Sequence, residues 1–200
     1  MSSLTLPGLP GALEWKNQPV ESNVADGTLT IVAGELTDWF IDPAGTVNKG
    51  YAPIALFTPP DEQFTLRAKV SVDFQSTFDA GVIFVFGTDN TWAKLCFEMS
   101  PQGKPMVVSV VTKGLSDDCN SLPIDGTTIY LRVARQGEAF AFHYSLDGRV
   151  WNLVRYFSLG TLTSLHMGLS SQAPTGKRCS ASFAEVEYRA GALTDIRGTE

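Results

Sequence analysis

Residues 63–74 read Gln63-Phe64-Thr65-Leu66-Arg67-Ala68-Lys69-Val70-Ser71-Val72-Asp73-Phe74. Phe64, Leu66, Ala68, Val70, Val72 and Phe74 share one parity, and Thr65, Arg67, Lys69, Ser71 and Asp73 take the other. A period of two sustained this long is the signature of a half-buried strand, apolar toward a core and polar toward solvent. The next run, Ala80-Gly-Val-Ile-Phe-Val-Phe86, is apolar at both parities and predicts a central strand covered on both sides. Trp92–Met99 alternates again, with Leu95, Phe97 and Met99 on one face and Lys94, Cys96 and Glu98 on the other.

Working outward, Met106–Thr112, Thr128–Ala134, Ala139–Ser145, Trp151–Phe157, His166–Ser171 and Ser180–Arg189 are further strand candidates, punctuated by Gly, Pro, Asn or Asp. Leu13–Trp15, Thr28–Val32 and Ala52–Phe57 precede them, and Pro53 marks an edge or a bulge in the last of these. Ala181 and Phe183 share one parity while Val186 and Tyr188 share the other, which predicts a bulge near Ala184–Glu185. Nowhere do apolar residues recur at helical spacing behind a cap, so long helices are not expected. About twelve short strands so spaced predict an all-β fold, a two-sheet antiparallel β-sandwich. No linker or repeat interrupts them, so residues 1–200 read as one domain with its core between about 13 and 188.

The chain carries a formal net charge of −6, with 44% hydrophobic and 18% charged residues. A charged share below the roughly 25% of soluble domains suits sheets better than charged helices. An acidic chain without a basic cluster lacks the cations that displace counterions from phosphates, so no nucleic acid partner is expected. Met1–Gly8 has neither the charged nor the apolar region of a signal peptide, and no apolar run approaches the ~18 residues of a membrane span. No membrane association is therefore expected, and the expected location is cytoplasmic. Cys96, Cys119 and Cys179 are odd in number, widely separated and outside any CxxC or Cys/His spacing. They predict free thiols, a reducing compartment and no zinc site.

The most specific local signal is Ser145-Leu-Asp-Gly-Arg-Val-Trp151, where Asp147-Gly148 supplies a hairpin turn. It is similar to a shortened Asp-box, and turn chemistry alone explains it. This hairpin, followed by Gly168 and Ala173-Pro174, joins Leu13-Glu-Trp15, Thr37-Asp-Trp-Phe40, Trp92-Ala-Lys-Leu-Cys-Phe-Glu98 and Ser116-Asp-Asp118 in one ordered set. That set resembles the concanavalin A-like family related to the "regulation of enolase" protein, from about Leu13 to Tyr188. The resemblance implies a jelly roll with one flat and one curved sheet, whose concave face binds sugars in lectin and glucanase relatives. It implies no particular reaction. The family pattern favours Gly where this chain has Cys96, and Trp where it has Asp118, and both departures alter the wall of any pocket.

Lys94 and Glu98 lie four apart on one strand face, ~13 Å between Cα atoms at the usual strand rise. If that face is the hollow of the curved sheet, Asp79, Asp117, Arg132 and Arg155 add convergent polar groups to a ligand site, and Trp39, Tyr51 and Trp92 supply aromatic faces for a sugar. If it is a solvated face, the same charges form cross-strand pairs, and truncating Lys94 or Glu98 costs no more than about 0.5 kcal/mol. Glu185 and Glu187 share a strand face about 7 Å apart by strand rise, without the Glu-x-Asp-x-x-Glu pattern of laminarinase-like enzymes. His143 and His166 belong to no HxH or HExxH motif, and the glycines are scattered, so no metal or cofactor is expected. The expected function is a non-catalytic binding or regulatory module for a carbohydrate or polyol, or for a protein partner such as a metabolic enzyme. The alternatives are a glycoside hydrolase or sugar isomerase working at the same face, and a structural domain that forms a homodimer.

Overall fold

The computed structural model describes residues 4–198, which form strands and no helix. In chain order the first eight are β1 Glu14–Lys16, β2 Glu21–Ala25, β3 Thr28–Gly34, β4 Trp39–Ile41, β5 Asn48–Gly50, β6 Ile54–Phe57, β7 Gln63–Asp73 and β8 Ala80–Thr88. The rest are β9 Thr91–Met99, β10 Pro105–Lys113, β11 Leu115–Pro123, β12 Thr128–Gln136, β13 Ala139–Ser145, β14 Asn152–Ser158, β15 His166–Gln172 and β16 Arg178–Ala190. One antiparallel sheet runs β1-β6-β15-β8-β9-β10-β11 and the other β14-β13-β12-β7-β16-β3-β2. Together they make the two-sheet sandwich that the alternation in residues 63–74 predicts.

In β7 the apolar parity is buried, with Phe64, Leu66, Ala68 and Val70 fully enclosed. They meet Ile83 and Val85 of β8 and Leu95 and Phe97 of β9 in the core between the sheets. The double apolar parity of β8 has the expected cause: its second face is covered too. Val82, Phe84 and Phe86 pack with Trp39, Ile41, Trp92 and Cys96 in a second apolar cluster on the outer face of the first sheet. The cover is the β4–β5 hairpin, which the sequence reading lacks along with β2 and β11, so the strands number sixteen rather than about twelve.

The bulge falls where the parity break predicts it. Pairing of β16 with β7 shifts register between Ala184 and Glu187, and Glu185 adopts a left-handed backbone with φ of 50°. Pro53 lies just outside β6, which is paired on both sides rather than at an edge. In the Ser145–Trp151 hairpin, Asp147 Oδ1 accepts from the amides of Arg149 (2.8 Å) and Val150 (2.9 Å). Ser145 Oγ accepts from the Gly148 amide at 2.9 Å, so the motif works as a turn.

Candidate functional site

The β4–β5 hairpin covers only part of the outer face, and a pocket opens beside it. Register decides its contents. In β9, Lys94, Cys96 and Glu98 point outward, and their β10 partners are Val110, Val108 and Met106. Val110 in turn faces Asp118, and Val108 faces Asn120, on β11. On the other side Ala80 of β8 stands between Glu98 and Gln172 of β15. Ala80 has only a methyl, so the Gln172 side chain reaches across it.

The result is a cavity of about 330 Å³ with Lys94, Glu98, Asp118, Asn120 and Gln172 among its polar lining and Phe40 and Phe78 among its apolar walls. That size is within the range of small-molecule sites. Lys94 Nζ donates to Asp38 Oδ1 and to Gln172 Oε1, each at 3.0 Å. Gln172 Nε2 donates to the Phe78 carbonyl at 3.1 Å and to Glu98 Oε2 at 3.3 Å. The Lys94 ammonium fixes the amide orientation, since a flipped Gln172 would oppose two donors. Lys94 is 2% exposed and Glu98 9%, which corrects the reading of a solvated face.

Burial disfavours the Lys94 ammonium, but acidic neighbours, the Asp38 carboxylate first, outweigh burial and raise its pKa. Glu98 is pushed up to about 8, chiefly by burial, against the opposing pull of Lys94. Burial therefore favours the protonated form of Glu98, a carboxylic acid with a proton to donate. Burial raises Asp118 as well, again opposed by Lys94. The thiol of Cys96, desolvated beneath the same face, is pushed well above its usual range and is inert as a nucleophile. Among the described residues no three His, Cys, Asp or Glu side chains converge as metal ligands do.

Of the residues that the sequence gathers at this face, only Lys94 and Glu98 line the pocket. Asp79 is buried, and its Oδ2 accepts from the amides of Gln75 (2.9 Å) and Ser76 (2.8 Å), so it shapes a loop. Asp117 has the opposite parity to Asp118 and pairs with Arg155 of the second sheet, Nη2 to Oδ2 2.8 Å. Arg132 also belongs to the second sheet, with its guanidinium 4.3 Å from the centre of the Trp151 ring. Trp39 and Trp92 are buried in the outer apolar cluster, their indole N–H groups donating to the carbonyls of Ala52 and Asp89. Tyr51 is 66% exposed and borders a separate hollow. Glu187 pairs with Arg67 at 2.6 Å and Glu185 with Lys69 at 3.5 Å, as surface charges across the second sheet.

Asp38, Phe40, Phe78, Asn120 and Gln172 are among the lining residues that sequence reasoning missed, and Asp118 entered it only as a departure from the family pattern. Asp38, Phe40 and Asp118 lay inside quoted motifs, and Asp118 needed only the parity of β11 to be placed.

Sheet order and register make the chain an all-β protein of the two-sheet antiparallel sandwich class, with a buried, mixed-charge pocket on the outer face of one sheet. Within that class, residues 15–190 match the family described as "Protein of unknown function (DUF1349)", and the chain belongs to it. It is 26% identical over 174 residues to "Regulation of enolase protein 1" of Saccharomyces cerevisiae (strain ATCC 204508 / S288c), covering 86% of each chain. A crystal structure of a functionally unknown protein from Saccharomyces cerevisiae superposes with a TM-score of 0.83 at 24% identity, over 90% of this chain and 97% of that one. A xylan beta-1,4-xylosidase from Bacillus halodurans C-125 shares the fold at a TM-score of 0.67 and 13% identity, over 82% of this chain and 33% of that chain. The chain thus spans about a third of that enzyme's length.

Proposed function

We propose that the chain is a binding module that takes a small, polyhydroxylated, sugar-like ligand in the outer-face pocket and serves a regulatory role in carbohydrate metabolism. One observation carries the reading: the Asp38–Lys94–Gln172–Glu98 chain of hydrogen bonds is buried and internally matched, yet faces a cavity. Such a network fixes donors and acceptors at set positions, as recognition of hydroxyl groups requires. Glu98 in its acid form adds a donor, and Asp118 and Asn120 stand across from it on β11. The name of the yeast relative, "Regulation of enolase protein 1", supports the regulatory half, and the carbohydrate-active structural neighbours support the ligand class. Three free cysteines support a reducing compartment.

Thermal-shift screening of sugars, sugar acids and polyols tests the reading, since a ligand at a hundred times its Kd stabilises by about 2.7 kcal/mol. The expected result is a hit whose affinity falls about tenfold or more in Asp118→Asn or Asn120→Ala, because each removes a side-chain contact worth about 1–3 kcal/mol. A hit unaffected by both changes would place the ligand elsewhere. The acid form of Glu98 favours a second reading, general-acid hydrolysis. Turnover of nitrophenyl glycosides that disappears in Glu98→Gln would replace binding with that reaction.

A further inference from the structure

Phe78 is the aromatic that the pocket holds in the open. It is 38% exposed, lines the cavity together with the polar network, and has a left-handed backbone with φ of 68°, unusual for a bulky residue. Four ties hold it there. The Phe78 amide donates to the Met99 carbonyl at 2.8 Å, and its carbonyl accepts from Gln172 Nε2 at 3.1 Å. On one side the Thr77 carbonyl accepts from Thr175 Oγ1 at 2.6 Å. On the other, Asp79 gathers the amides of Gln75 and Ser76, which closes the loop. The cost of that backbone is maintained by its surroundings, as happens where strain serves a site. What it achieves is to aim an apolar ring over the pocket instead of into the core.

We infer that Phe78 is the stacking platform of the pocket, and that the ligand is a cyclic sugar which lays the apolar face of its ring on Phe78 while its hydroxyl edge meets Lys94, Glu98 and Asp118. The inference rests on the sugar-like reading of the pocket and narrows it. Gln172 joins the two halves, since one amide holds both the Phe78 carbonyl and the Glu98 carboxyl. Platform and polar wall are therefore fixed relative to each other, as recognition of a rigid ring requires and recognition of a flexible chain does not.

The probes are methyl pyranosides of common pentoses and hexoses, each set against the open-chain alditol with the same hydroxyls. In the wild-type protein at least one pyranoside should bind tenfold or more tightly than its alditol, with its ring protons shifted upfield by the Phe78 ring current. Phe78→Gly and Phe78→Asn both accept a positive φ without an aromatic ring. Both should lose the preference and the upfield shift, and Phe78→Gly should melt at an equal or higher temperature. Phe78→Tyr should keep both. An alditol that binds as well as its pyranoside, or a preference that survives in Phe78→Asn, would overturn the platform and leave the pocket reading standing. If no pyranoside and no alditol binds, both fall.

Discussion

Lys94 illustrates how burial changes the consequence of a substitution. On a solvated face its removal would be nearly neutral, but here the ammonium is enclosed and holds Asp38 and Gln172. Lys94→Ala leaves a carboxylate without its counter-charge, and loss of one member of a buried pair costs about 3–5 kcal/mol. Asp38 is partly accessible, with 14% of its side chain exposed, so the lower end of that range is expected in urea denaturation. Lys94→Met with Asp38→Asn should recover much of the loss. Glu98 has the opposite signature. Its folded pKa of about 8 lies above the ordinary 4.5 of a glutamate, so the folded state binds the extra proton and stability falls as pH rises between those values. His143 works against it: burial lowers that pKa to about 4 from 6.5, so stability rises with pH across that interval. The two slopes offset each other up to about pH 6.5, and above it the Glu98 slope remains. The melting temperature should therefore decline from pH 6.5 to 8 in the wild type and stay flatter in Glu98→Gln. An equal decline in both would show that another group titrates.

At the scale of elements, the legible strands were those with a clear parity. β7, β9 and β13 could be read because one side of each alternation is apolar and buried. β11 reads Leu-Ser-Asp-Asp-Cys-Asn-Ser-Leu-Pro, has low strand propensity, and pairs only with β10, so nothing in its composition announces a strand. Missing it put Asp117 in the site instead of Asp118, because a one-residue change of parity exchanges the faces of a strand. Gln172 was invisible for a different reason: its role depends on Ala80 spacing it from Glu98, a fact of register across three strands. The neighbour of Ala80 shows how closely that register is held. A Cβ on Gly81 would lie 2.6 Å from Val70 Cγ1 and 3.2 Å from Ala181 Cβ, both on the opposing sheet. Gly81→Ala should therefore cost about 1–3 kcal/mol by overpacking, despite alanine's better backbone propensity. A neutral or stabilising result in chemical denaturation would mean that the sheets separate more easily than this packing implies.

Across the whole molecule, the chain order within the sheets argues for one cooperative unit. β2 and β3 lie beside β16, and β1 and β6 lie beside β15, so neither sheet can be completed from half of the chain. Ties between layers point the same way. Arg155 of β14 reaches Asp117 of β11 across the sandwich, and the Ile41 amide anchors the hairpin to Ser116 Oγ at 3.0 Å. The cysteines report on this directly. Cys119 is exposed, Cys96 sits under the hairpin on the outer face, and Cys179 lies in the core between the sheets. Burial pushes the Cys179 thiol up to about 12 and raises Cys96 as well, so both are protected by enclosure and by a scarcity of thiolate. A thiol reagent should therefore modify one cysteine rapidly in the native protein and all three after denaturation. With Cys119→Ser as background, modification of Cys96 and Cys179 resolved by mass spectrometry should show the same denaturant midpoint and slope, because one transition exposes both. If Cys96 is labelled at clearly lower denaturant, the β4–β5 hairpin lifts from the outer face as a separate unit. The roof beside the pocket would then move independently of the sandwich, and the single-domain reading would hold for the two sheets alone.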